Sequence, residues 1–257
     1  MMTFQERILT QEQLEKYDGS EGSKGIYIAV LGQVFDVSKA PNFYGPNGGY
    51  GFFAGKDASR AYVTGNFDAE GLIDDVSGLS SSDYIGLDEW ISFYHTDYKY
   101  VGKLAGRYFN HDGTPTQDYR NLQQWMTEAK EDASQKETLK QIFPPCNSEW
   151  SADKGQRVWC TKKSGGISRY VILIYMFHPL VEYYIYFYRH WIGVPRRLFM
   201  PGTPERCACV KDSGHSLFYP DAPTDEADRG DLDNPHLKVY EQCSDEKATS
   251  CQMSTGS

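Results

Sequence analysis

The residues with the most chemical promise lie together at positions 42–60, NFYGPNGGYGFFAGKDASR, where five glycines and a proline alternate with aromatics. Glycine lets a chain turn tightly and approach a flat ligand closely, because no Cβ intervenes. The string holds no G-x-G-x-x-G and no G-K-[ST], so nucleotide and dinucleotide cradles are disfavoured. What it offers is an aromatic-walled slot presenting Tyr44, Tyr50, Phe52 and Phe53, as a planar apolar ligand needs. The chain carries 19 Tyr against 6 His. Metal chemistry resting on imidazole is therefore short of ligands, while phenols are abundant. Spacing alone leaves Tyr50 open between a metal ligand and a residue that caps a core, and Phe52 and Phe53 read as structural. Enzyme signatures such as G-x-S-x-G and H-E-x-x-H are missing, and no cysteine precedes Cys146. The reading is non-enzymatic.

Short elements must position this loop. Thr10-Gln11-Glu12-Gln13 has the form of a capping box, flanked by Leu9 and Leu14 as a hydrophobic staple, and opens a short helix ending at Asp18-Gly19. Ile26–Val30 and Val34–Val37 are strand-like and flank a Leu31-Gly32 turn, which makes a hairpin. Asp57 is placed to cap a helix over Ala58–Thr64. From Asp83 to His95, Tyr84, Leu87, Trp90, Ile91 and Tyr94 share one helical face. These elements predict an α+β module over residues 8–111. A longer helix is expected from 116 to 143, stopped by Pro144-Pro145, either packed back on the module or serving as a spacer.

Composition divides the chain at that Pro-Pro pair. Residues 1–145 hold 13 Lys/Arg against 21 Asp/Glu, and the remainder 13 against 14. The total charge of -9 argues against nucleic acid as a partner, since binding it requires cations to replace phosphate counterions. All six cysteines, Cys146, Cys160, Cys207, Cys209, Cys243 and Cys251, lie in the extension 146–257. Their even number favours disulfides over free thiols or zinc, because no C-x-x-C pair occurs. The segment 170–190, YVILIYMFHPLVEYYIYFYRH, is the most apolar run. His178-Pro179 and Glu182 interrupt it where a membrane span would be driest. A span, a buried or interfacial element and an insert foreign to the extension all stay open. The last 30 or so residues, acidic and rich in Ser and Thr, are expected to form a partly disordered tail.

FYGPNGGYGFFAGKDASR, together with YIAVLGQVFDVS before it and YKYVGKLAGRY after it, resembles the membrane-associated progesterone receptor family, a branch of the cytochrome b5-like fold. The resemblance runs from about Leu9 to Tyr108. It implies a cytochrome b5-like haem-binding domain followed by a helix and a cysteine-containing extension. It also implies b-type, ferric haem held through an axial tyrosine, for which Tyr50 stands at the matching position. Tyr44 and Tyr98 match haem-contacting tyrosines. No histidine precedes His95, so the bis-imidazole ligation of ordinary cytochrome b5 is excluded. A phenol ordinarily ionises near pH 10, but Fe(III) favours the hard phenolate oxygen. The family pattern can carry lysine where this chain has Asp97, which weakens anchoring of a haem propionate unless Lys99 compensates.

The resemblance further implies a secreted factor promoting neuronal differentiation through an unknown protein receptor, with self-association through the haem face. The alternative is an intracellular, endomembrane-associated haem or redox accessory to a partner enzyme. The start MMTFQERILT has neither a basic nor an apolar leader region, so secretion requires a leader not visible here.

Overall fold

A computed structural model describes residues 6–166, 170–175, 185–201, 203–219, 229–243 and 245–253. The chain forms two compact units, Met1–Ser134 and Gln135–Ser257, and the boundary falls within a long helix.

The first unit is α+β. Strands β1 (Ile8–Leu9), β2 (Tyr27–Val30), β3 (Gln33–Asp36) and β4 (Lys99–Leu104) form one sheet in the order β1-β4-β3-β2. The pair β1–β4 is parallel and the others antiparallel. Helices α1 (Gln11–Leu14), α2 (Pro41–Tyr44), α3 (Ala61–Thr64) and α4 (Ser81–Asp97) surround it. The capping box at Thr10 and Gln13 forms as its residue types dictate, and Leu9 and Leu14 share one buried cluster. In α4 the residues Tyr84, Leu87 and Tyr94 turn into the main core, each burial contributing about 1.5–3 kcal/mol. Helix α5 (Gln117–Ile142) adds Leu122, Met126 and Ala129 to the same core, so its first half packs on this module.

The hairpin turn shows what Asp57 does. Leu31 and Gly32 both have positive φ, 52° and 74°, as a two-residue hairpin requires and as leucine disfavours. The strained turn is held from the side: Leu31 N–H donates to Ser59 Oγ at 2.6 Å, and Gly32 N–H to Asp57 Oδ2 at 2.7 Å. Ser59 donates to Asp57 Oδ1 through both its N–H and its hydroxyl. Asp57 is therefore a buried clamp and not the expected cap of a helix over Ala58–Thr64. That helix starts only at Ala61, with Arg60 in the cap position making no side-chain cap.

Burial pushes the Asp57 carboxyl up from 3.8 to about 6, against the pull of its three donors. Between about pH 4 and 6 the folded protein thus holds a proton that the unfolded chain has released. Stability is expected to fall through that window as pH rises, by about 3 kcal/mol for this group. Urea midpoints of wild type and Asp57→Asn, measured from pH 4 to 7, check this: the decline should be absent in the variant. Parallel curves would contradict it.

The second unit is built of short strands. β5 (Asn147–Ser151), β6 (Gly155–Trp159) and β12 (Ser250–Met253) make one sheet, in the order β12-β6-β5. β9 (Val194–Leu198), β10 (Arg206–Val210) and β11 (Leu237–Lys238) make another, in the order β10-β9-β11. Phe143, Leu198, Ala208 and Val210 form its core cluster. The cysteines pair as Cys146–Cys207, Cys160–Cys209 and Cys243–Cys251, which decides between disulfides and zinc.

The expected tail is revised over residues 229–243 and 245–253, and its end, 254–257, lies outside the described residues. Among residues 229–253, β11 and β12 join the two sheets, and buried Asp231 accepts from Ser216 and from the N–H groups of Leu217 and Phe218. Strand pairing and the Cys243–Cys251 bridge outweigh polar composition there. Within 170–190, β7 (Tyr170–Tyr175) and β8 (Ile185–His190) pair antiparallel as a separate two-stranded sheet, and 176–184 lie outside the described residues. No helix among the described residues is long and apolar enough to cross a membrane.

Candidate functional site

The 42–60 loop folds around its own backbone. Pro41 starts α2, where its fixed φ suits the first helical turn. After the turn, Tyr50 N–H donates back to the Phe43 carbonyl at 2.8 Å, which sets Tyr50 beside Tyr44. A Cβ on Gly48 would lie 2.3 Å from that same Phe43 carbonyl oxygen, and one on Gly51 2.5 Å from the Gly45 carbonyl oxygen. The absent Cβ atoms thus make room for the loop to close on itself, and the sequence expectation that they admit a flat ligand is revised at these positions.

Closure of the loop against α3 and α4 leaves a cavity of about 400 Å³, within the range of small-molecule sites. Tyr44, Tyr50 and Tyr98 all line it, and so does Phe53. Phe52 is not a wall; its ring packs on Phe53 and Phe67, with centroids 4.7 and 4.6 Å apart. Trp90, Phe93 and Tyr94 from α4 and Tyr62 from α3 complete the enclosure, and none of the lining residues is charged. Trp90 and Tyr94 were legible as one helix face. Tyr62 and Phe93 carried no sequence signal that separates a cavity wall from a core residue.

The phenols are not equivalent. Tyr94 donates to Tyr62 Oη at 3.2 Å and shares a 3.0 Å hydrogen bond with Tyr44. Each hydroxyl has one proton, so with the Tyr94 proton on Tyr62 the Tyr44 hydroxyl donates to Tyr94. Burial first, and the bond to Tyr94 second, pushes the Tyr44 phenol up; burial does the same for Tyr94 and Tyr62. These three stay neutral at any physiological pH. Tyr50 differs: its side chain is at the cavity mouth, 48% exposed, and its hydroxyl has no hydrogen-bond partner among the described residues. Its ring centroid lies 6.2 Å from that of Tyr44. Tyr98 caps the C-terminus of α4 and stands edge-on to Tyr44, at 5.9 Å and 88°.

Residues 10–122 match the family described as Cytochrome b5-like Heme/Steroid binding domain. Over nearly the whole chain there is a longer likeness. Neuferricin of Mus musculus is 43% identical over 248 residues, covering 96% of this chain and 86% of that protein. Neuferricin of Xenopus tropicalis is 45% identical, covering 92% of this chain and 79% of that protein. The chain belongs to the neuferricin family. A solved structure of an Arabidopsis thaliana protein described as having a cytochrome b5 like fold is 36% identical; it covers 40% of this chain and 95% of that one, with a TM-score of 0.37. By the family match over residues 10–122, the first unit of this neuferricin-family chain is a cytochrome b5-like domain, with the cavity bounded by its 42–60 loop, α3 and α4.

Near Asp97 a second cation stands beside the expected Lys99. Lys99 is exposed on β4, in register with Asp36, while Lys39, outside the cavity lining, has its Nζ 4.8 Å from the ring centroid of the cavity wall Tyr98.

Proposed function

We propose that the first unit binds b-type haem, with Tyr50 as the axial ligand to ferric iron and Tyr44 and Tyr98 as contacts that orient it. The observation that carries this reading is Tyr50, half exposed and with no hydroxyl partner among the described residues, at the mouth of an uncharged aromatic cavity. The residues suit the group: flat aromatic walls match a planar macrocycle, and a phenolate oxygen matches hard Fe(III). Haem held in this way supplies a ferric centre of low potential, poorly suited to shuttling electrons. Tyr44, its proton committed to Tyr94, presents its oxygen as an acceptor and keeps its ring fixed against Tyr50. Ligand-positioning contacts of this kind set orientation and tune charge.

The protein then acts by binding and interaction rather than by catalysis. The bridging of all six cysteines supports an oxidising compartment, and with it the reading of a secreted protein that promotes neuronal differentiation through a protein receptor. Phe43 and Phe67, exposed at the cavity rim, give the haem face apolar surface for self-association. Titrating the full chain with hemin and recording absorption and resonance Raman spectra tests the ligand. Iron–phenolate modes are expected; no binding, or a spectrum of imidazole ligation, would overturn the reading.

A further inference from the structure

The lining of the cavity is uncharged, so no cation within it favours an acidic planar ligand over a neutral one. Discrimination must come from the rim. At one end of the rim α4 terminates at Asp97, with Tyr98 as its C-cap and as a cavity wall. A helix C-terminus carries partial negative charge on its free carbonyls, and Asp97 adds a carboxylate, so this edge by itself repels anions.

Lys39 changes that sign. It precedes α2, and its Nζ donates to the Asp97 backbone carbonyl, 58 residues away, while lying 4.8 Å from the centroid of the Tyr98 ring. Cations are favoured at both places, against terminal carbonyls and over a phenol face. An ammonium has three N–H donors, and the carbonyl takes one. Two remain without a partner among the described residues, on an exposed side chain beside the cavity wall Tyr98.

We propose that Lys39 is the anchor for a carboxylate on the edge of the planar ligand, and that it makes the cavity selective for the free acid over its esters. The assignment rests on the haem reading above and deepens it: the ring stacks among the aromatics, Tyr50 holds its metal, and Lys39 holds one acidic edge group through charge-assisted hydrogen bonds. Aspartate at 97 is tolerated because Lys39, arriving from a different element, takes the anchoring place.

The test compares hemin with hemin dimethyl ester, which keeps the ring and the iron but lacks the acidic groups. Full chain, Lys39→Met, Lys39→Arg and Lys99→Met are titrated with each. Wild type is expected to bind the acid about tenfold tighter than the ester. Lys39→Met should bring that ratio near one by weakening the acid alone, Lys39→Arg should restore it, and Lys99→Met should leave it unchanged. A merely structural role for Lys39 at the end of α4 would lower the melting temperature and weaken both ligands together, which overturns the proposal. Equal affinity of wild type for acid and ester overturns it while leaving Tyr50 ligation standing. Failure of wild type to bind either overturns both.

Discussion

Tyr50→Phe is expected to weaken hemin binding about a hundredfold and to abolish the phenolate-to-iron charge-transfer band, with the fold intact. A hundredfold corresponds to about 2.8 kcal/mol, a modest value for loss of the one protein bond to a metal. The fold survives because the Tyr50 hydroxyl has no partner among the described residues, so its removal leaves no buried group unsatisfied. Such surface changes stay within about 0.5 kcal/mol. Tyr44→Phe makes the contrast. It strips Tyr94 of a hydrogen-bond partner inside the core, which costs about 1 kcal/mol of stability, and it loosens hemin about tenfold without removing the band. Tyr44 is the poorer ligand on this geometry, because burial and its bond to Tyr94 both hold the proton on the phenol. Spectra and affinities of the two variants side by side decide the matter. A band lost in Tyr44→Phe and kept in Tyr50→Phe would reverse the assignment.

Much of the site could be read before folding because its signals are local. Gly45 to Gly55 with Pro46 mark a tightly turning loop, though not its closure on its own carbonyls, and the family pattern attaches a role to Tyr44, Tyr50 and Tyr98; all three line one cavity. What escaped was whatever depends on distant pairing. Asp57 looks like a helix cap, because Asp before Ala58–Thr64 has that form; its burial beneath the Leu31-Gly32 turn follows from strand pairing 25 residues away. Lys39 and Asp97 likewise meet only through the fold. One local signal was passed over: Ser80 and Asp83 form a reciprocal capping box, which starts α4 at Ser81, two residues before the start at Asp83 read from its apolar face. In the second unit, polar composition suggested a tail, and the β11 and β12 pairings that order residues 237–238 and 250–253 have no local signature.

Reduction of the three disulfides is expected to unfold the second unit while the hemin-binding unit stays folded. Cys146–Cys207 and Cys160–Cys209 close loops spanning 61 and 49 residues, each restricting the unfolded chain by roughly 4 kcal/mol, and Cys243–Cys251 spans 8, for roughly 2.5. The two long loops overlap in sequence, so their effects are not additive. Even one is large against the 5–15 kcal/mol of a whole domain. Among its described residues the second unit has three- and two-stranded sheets of short strands and a core cluster of four buried residues, among them small Ala208, with partly buried side chains such as Met200 and Phe218 packed against it. The first unit has no cysteine and a core cluster that spans the sheet, α4 and α5. Melting followed by circular dichroism should therefore lose its second-unit transition on addition of a dithiol, while hemin titrates the reduced protein with unchanged affinity. If the reduced chain melts as the oxidised one does, the short strands and the Phe143 cluster hold this unit by themselves. If hemin affinity falls with reduction, the cavity depends on the second unit in a way that its own lining residues, all between 43 and 98, do not account for.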